Sequence, residues 1–307
     1  MMTMPRPRVA TSLALALLLT SFAAPARAAE LRPAWIPGQA ARYEIWALRQ
    51  RQQEMSFGGD SQRFDMSMET TGEVTWEVES VSGDGSVQAT MTFDWLRAEV
   101  TGPDGERIVL DSREGGADSQ PLRAIAGTPL DVAVDADGSI ASVRGAEAMR
   151  RQVDAATLVP SDVDLVYNAS HLAAVSGSPA EAREGDRWSA ALMTDHELGA
   201  MHYDMSYRLA EVGEIAGIGV ATINAEGRMD LEVDLSDMPE GAPPMDVRLR
   251  DATSRSQIIV DLSRHEVVGR NNMESSRIEI VIDLGGQRMT QTMSEQNHSQ
   301  VLRIWEQ

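Results

Sequence analysis

The pattern nearest to a catalytic or metal site is His196-Glu197-Leu198-Gly199-Ala200-Met201-His202. A zinc-protease helix needs two histidines four apart on one face, with a glutamate beside the first as general base. Ala200 stands where the second histidine would be, and the segment runs into an alternating, strand-like stretch. On one extended strand His196 and His202 would point to the same polar side about 20 Å apart, too far to share an ion. Two solvated histidines are expected. Asp135-Ala136-Asp137-Gly138 has the look of half a calcium loop. With Gly138 as sixth position, the first ligand falls on Ala133 and the twelfth on Arg144, so two key ligands fail; a hairpin turn explains the same residues. Carboxylates recur at even spacing in Asp230, Glu232 and Asp234, in Glu77 and Glu79, and in Glu279 and Asp283. Such groups share one side of a strand at about 7 Å per two residues, which could bind a cation weakly or form a pair for glycoside hydrolysis. They read better as the wet faces of strands, kept charged against edge pairing. Met66-Ser67-Met68 is a lone M-x-M step, too little for a copper site. No G-x-S-x-G elbow occurs, and Gly217-Ile218-Gly219 lacks the third glycine of a dinucleotide loop.

The composition removes further chemistries. The 307 residues include no Cys, and all 27 basic residues are Arg. Disulfides, thiolate nucleophiles and Cys-ligated metals are therefore absent, as are Schiff bases, Ser-Lys dyads and a phosphate-loop lysine. The net charge of -20 opposes nucleic acid and anionic membrane surfaces. No cofactor, no metal site and no enzymatic activity are expected.

Arg6 and Arg8, an apolar run from Val9 to Phe22 and Ala26-Arg27-Ala28 have the layout of a secretory signal peptide over residues 1–28. Its removal takes away Arg6, Arg8 and Arg27 and no acid, so the charge goes from -20 to -23. An exported protein of the periplasm or medium is expected, not integral to the membrane after cleavage.

The elements that would position any site are strands. Val74, Trp76 and Val78 alternate with polar residues, and after Ser82-Gly83-Asp84-Gly85 so do Val87, Ala89, Met91, Phe93 and Trp95. The same period returns at Leu130–Val134, Met201–Leu209, Met229–Leu235 and Ile278–Leu284. Residues 145–156 and 161–175 carry helical spacing instead. The two strand-rich stretches also align in order: Trp76–Val81 lies on Tyr207–Val212, Gly85–Thr90 on Ile218–Ile223, and Val134-Asp135 with its turn on Val260-Asp261 with its own. The chain is thus expected to be mainly β (α+β), with two related antiparallel curved-sheet or half-barrel units over 29–144 and 181–307, joined by a short helical connector over 145–180.

Gly38-Gln39 leading to Tyr43, the Val74-x-Trp76-x-Val78 hairpin, Gly127-Thr128-Pro129-Leu130-Asp131-Val132, Asp135-x-Asp137-Gly138-x-Ile140 and Glu184-Gly185-Asp186-x-Trp188 together resemble an uncharacterised family of secreted bacterial β-rich proteins, classed as a domain of unknown function. The resemblance implies fold and location, and carries no catalytic residues. The architecture is also loosely similar to that of periplasmic lipoprotein carriers, where a curved sheet closes on a few helices around an apolar cavity. Methionine is frequent in the strand-like runs and phenylalanine scarce, and flexible, polarizable methionine suits an adaptable apolar wall. A non-enzymatic binding protein for an apolar or lipid-like small molecule is the leading expectation, with Met91, Phe93, Met205, Tyr207 and Met229 as the lining. The alternative is a structural or protein-interaction module of the envelope, meeting a partner protein through its acidic surface.

Overall fold

A computed structural model describes residues 28–145, 175–196, 199–234, 243–285 and 287–305. The period-2 segments all become strands, several much longer than the usual five or six residues. In chain order they are β1 (Ala29–Glu30), β2 (Ala40–Phe57), β3 (Asp60–Val81), β4 (Val87–Thr101), β5 (Arg107–Asp111), α1 (Gln120–Ile125), β6 (Pro129–Val134), β7 (Ile140–Arg144), β8 (Glu181–Ala182), β9 (Arg187–His196), β10 (Gly199–Ile215), β11 (Ile218–Val233), β12 (Met245–Asp261), β13 (Glu266–Asp283) and β14 (Arg288–Ile304).

Twelve strands form one antiparallel sheet in the order β7-β6-β4-β3-β2-β14-β13-β12-β11-β10-β9, with β5 beside the far end of β4. The chain meanders outward from β2 to the β7 edge, re-enters at the opposite edge with β9, and meanders back until β14 pairs β2 from Arg42–Ile304 to Phe57–Met289. The sheet is open, because β7 and β9 do not pair. The expected pair of units is therefore a single continuous sheet as far as the strands go. Residues 146–174, where the connector helices were expected, lie outside the described residues, as do residues 1–27.

Turn chemistry fixes the hairpins. Gly138, at φ 84°, donates its N–H to the Asp135 carbonyl at 2.9 Å, and Asp135 donates to the Ser139 carbonyl at 2.8 Å. The calcium-like segment is thus the β6–β7 hairpin turn. His196 and His202 do not share a strand: His196 ends β9 opposite Gly199, and His202 lies on β10 opposite Met193.

Two cores form. The first gathers Tyr43, Val74, Trp76, Met91, Phe93, Leu96, Leu130 and Val132 with Leu122 and Ile125 of α1. The second gathers Met201, Tyr203, Met205, Tyr207, Leu209, Ile223 and Ile258 with Leu31, Val175 and Ala182, around the small β1–β8 sheet. Each is headed by an aromatic stack, Trp35 on Trp76 at 6.2 Å and Trp188 on Tyr207 at 5.5 Å. Helix α1 and strands β1 and β8 were not legible in the sequence, being too short for any periodicity to show.

Close approach makes one glycine necessary. A Cβ on Gly72 would lie 2.6 Å from the Trp95 carbonyl oxygen and 2.7 Å from Leu96 Cδ2, beside the β3–β4 bulge at Glu73/Val74. Gly72→Ala is expected to lower unfolding free energy by about 1–3 kcal/mol through overpacking, measured by urea denaturation. An unchanged midpoint would show that the bulge yields without cost.

Candidate functional site

Because side chains alternate across a strand, the ladder register assigns every paired residue to one of two faces. Three rows show the result. Leu96, Gly72, Ile45, Val301, Arg270, Ile258, Ile223 and Leu209 lie in line across eight strands. Two residues further along, the row is Ala98, Thr70, Ala47, Ser299, Asn272, Ser256, Ala225, Tyr207 and Trp188. The next is Val100, Met68, Arg49, Asn297, Glu274, Ser254, Gly227, Met205 and Ala190. Both cores therefore stand on the same face of the sheet, at its two flanks.

Between the flanks this face is polar. Its middle strands carry Arg49 and Arg51, Glu295, Asn297 and Ser299, Asn272 and Glu274, and Ser254 and Ser256. Arg49 Nη2 lies 2.7 Å and Arg51 Nε 3.1 Å from the two oxygens of Glu295. These side chains are 15%, 29% and 21% exposed, so they are sheltered and still reachable. Burial pushes the Glu295 carboxyl up, but the Arg49 and Arg51 guanidiniums outweigh it and hold the group below its ordinary value. Asn272 donates Nδ2–H to Glu274 at 3.0 Å, and Arg270 donates Nε–H to the Ser256 hydroxyl at 3.1 Å. Asn297 is buried, and its Oδ1 accepts no hydrogen bond.

Past this seam, toward the strand ends, the face turns apolar again. Gln53, Met293, Ile278 and Leu249 form one row, Met55, Gln291, Ile280 and Val247 the next, and Phe57, Met289, Ile282 and Met245 the last. Most of these residues are half-buried, and Phe57 is exposed. On β11, whose pairing with β12 stops at Arg228–Thr253, Met229 and Leu231 continue the apolar phase beside Tyr203 and Met201. The acids follow the other phase: Glu54, Asp65 and Glu69 on β2 and β3, and Asp230 and Glu232 on β11, all lie on the opposite face.

All five residues expected to line a ligand site fall on the apolar face, in two separate places. Met91 and Phe93 are wholly buried in the first core. Met205 and Tyr207 are buried in the second, and Met229 is half-buried against it. Met205 sulfur occupies the space a Cβ on Gly227 would take, and the Tyr207 hydroxyl, stacked under Trp188, is pushed up by burial. The seam that separates the two groups was missed. Its signal lay in the polar residues at odd positions of 289–303, in phase with Met289, Met293 and Val301, which a search for apolar alternation passes over.

A cavity of about 540 Å³ lies mainly on the opposite face, where Ser67, Gln50 and Gln296 form one row and Asp65, Gln52 and Ser294 another, beside the Gly102–Gly105 turn. Its lining mixes these polar side chains with Met66, Pro103 and Arg51. Among the described residues no group of three or more His, Asp or Glu side chains is placed to hold a metal ion, and no helix is long and apolar enough to cross a membrane.

No family model matches the chain, and no curated protein matches it in sequence. Among solved structures it is similar to lipovitellin, studied for its lipid–protein interactions, at 13% identity and a TM-score of 0.46, over 88% of this chain. The chain spans 25% of the length of that lipovitellin chain. A DUF1329 family protein from Desulfovibrio piger aligns at 8% identity and a TM-score of 0.15, over 81% of this chain and 83% of its own. OccK5 (OpdH) from Pseudomonas aeruginosa aligns at 8% identity and a TM-score of 0.22, over 86% of this chain and 99% of its own. At such scores these likenesses carry no functional argument.

Two outcomes follow from the burial and charge of these residues. Met91→Ala and Met205→Ala are expected to cost about 2–5 kcal/mol of stability as core cavities, and Met229→Ala less than about 1 kcal/mol; equal losses in denaturation midpoints would contradict the division between core and half-buried face. Glu295 has its folded-state pKa depressed below the unfolded value, so its stabilisation is present above the unfolded pKa and disappears as pH falls through the folded one. Glu295→Gln should therefore lower stability by roughly 1–3 kcal/mol at neutral pH, with the gap to wild type closing in acid. Thermal melts across pH check this, and a gap that persists below the folded-state pKa would count against it.

Proposed function

We propose that the protein is a non-enzymatic binding protein of the bacterial envelope that takes an apolar or lipid-like ligand on the apolar face of its sheet. The carrying observation is the set of half-buried rows running from Gln53–Met293–Ile278–Leu249 to Phe57–Met289–Ile282–Met245. The flanking cores are already filled by their own side chains, whereas these rows present contact area of the adaptable kind that methionine provides. On this reading Met229 lines the ligand, and Met91, Phe93, Met205 and Tyr207 form the packed floor on either side. The N-terminal segment of residues 1–28 supports export. A composition without Cys or Lys favours binding over covalent chemistry.

The test uses the mature chain and the neutral apolar fluorophore N-phenyl-1-naphthylamine. Saturable fluorescence enhancement is expected, and it should survive about 1 M salt, where screening falls to about 3 Å, because the contact is apolar. Met293→Asp together with Met229→Asp should weaken it by roughly tenfold or more, since a carboxylate set against an apolar ligand loses hydration. Absence of saturable uptake by the wild-type chain would overturn the reading. Loss of binding in high salt would point instead to an electrostatic contact of the acidic surface.

A further inference from the structure

Beyond the apolar-binding reading, and mainly on the other face of the sheet, we propose that the cavity beside the Gly102–Gly105 turn binds a neutral oligosaccharide, with Trp46 as a stacking surface for its far end.

The cavity follows from the ladder. β4 leaves β3 at the Thr101–Ser67 pair, whereas β3 continues to Asp60 with β2 as its only partner among the described residues. The Gly102–Gly105 turn stands at the point where β4 departs, and the space of about 540 Å³ lies between that turn and the strands that run on. Its volume falls within the range of pockets that enclose small organic ligands. Every second residue of β3 between 60 and 66 turns its N–H and C=O toward the side that β4 has left, so main-chain donors and acceptors join the wall.

The chemistry of the lining selects the ligand. Gln50, Gln52 and Gln296 bring carboxamides, and Ser67, Thr101 and Ser294 bring hydroxyls. Each of these groups both donates and accepts, as a sugar hydroxyl does. Charge cancels within the wall. Arg63 donates Nε–H to Asp65 Oδ1 at 3.3 Å, Gln52 donates Nε2–H to the same oxygen at 3.0 Å, and Arg51 is held by Glu295 at 3.1 Å. Glu54 and Glu69 on the same face oppose an anionic glycan. Met66 and Pro103 supply apolar contact for the C–H face of a pyranose ring.

A second feature of that face points to the same class. Trp46 stands four residues along β2 from Gln50, about 14 Å away at about 3.4 Å per residue. Its indole is fixed by donating Nε1–H to Glu69 at 2.9 Å and by the His298 ring, nearly perpendicular to it at 5.1 Å. The negative face of a fixed aromatic ring attracts the polarised C–H groups of a sugar. The row continues from Trp46 with Gln300 and Asn271, which add carboxamides on the next two strands. An added peptide strand is the competing occupant of the β3 edge. Arg63 and Asp65 oppose it, because charged side chains on an edge work against strand addition.

The experiment measures binding of maltotriose, cellotriose and triacetylchitotriose to the mature chain by isothermal titration calorimetry, with trigalacturonate as the anionic counterpart and an oligothreonine peptide as a strand donor. At least one neutral trisaccharide should bind saturably, with a dissociation constant of about 1 mM or tighter, and trigalacturonate should bind roughly tenfold more weakly or worse. Gln50→Ala/Gln296→Ala should weaken the neutral sugar roughly tenfold or more, with an unchanged thermal melt showing that the variant is folded. Trp46→Ala should weaken it by a smaller factor, and Trp46→Phe should retain most of the affinity. Failure of all three neutral trisaccharides, binding that survives loss of both glutamines, equal affinity for trigalacturonate, or binding of the peptide in place of the sugars overturns this inference and leaves the apolar-binding reading intact.

Discussion

The pairing of β2 with β14 is the constraint on which the rest of the molecule depends. It joins residues 42–57 to residues 289–304, almost the whole chain apart, and turns two meanders into one sheet. Such a closure contributes only after most of the chain entropy has been lost, so it is late and costly to form. The N-terminal segment reinforces it from outside the ladder: β1 pairs β8 in the second half, Leu31 enters the second core, and Trp35 four residues later stacks on Trp76 of the first. A short stretch of chain thus touches both cores that the long ladder holds side by side.

A single register over so many strands forces both cores onto one face, and the β2–β14 junction lies between them. An apolar junction would merge the cores into one wide hydrophobic surface. Instead the residues facing inward at the junction are Arg49, Arg51, Glu295, Asn297 and Ser299. Polar groups sheltered in this way stabilise a fold only when their partners are met, and Glu295 between two arginines is such a case. The ion trio also fixes register. A slip of one residue between β2 and β14 would carry Glu295 to the solvent face and leave both guanidiniums without their shared carboxylate.

Much of this fold was legible in the sequence because period 2 is a strong signal wherever one face is dry. The hairpin of Trp76 and Met91, the run from Met201 to Leu209 and the Asp135–Gly138 turn follow directly from alternation and glycine placement. The stretches aligned in the sequence fall within strands, Trp76–Val81 in β3 and Tyr207–Val212 in β10, Val87–Thr90 in β4 and Ile218–Ile223 in β11. What alternation does not encode is which strands become neighbours across a long separation, and so neither the β2–β14 ladder nor the seam could be read from it. The same limit explains the site residues. Met91 and Met205 share a face, as their phase requires, but phase is silent on the polar strands between them.

The chain's exclusive use of arginine gives the seam its permanence. A sheltered lysine can shed its proton as burial lowers its pKa, whereas arginine stays charged in any protein setting. Arginines sheltered in the seam therefore cannot relieve their desolvation by neutralising, and Glu295 holds both Arg49 and Arg51 in ion pairs. The acidic outer surface meanwhile repels small anions approaching through water, so simple phosphate or acetate has little to drive it inward. A ligand with an apolar chain has that drive, because burying hydrocarbon against the methionine and isoleucine rows gains about 25 cal/mol per Å². On the proposed reading, burial of hydrocarbon is therefore what draws a ligand in, and the acidic surface works against free small anions.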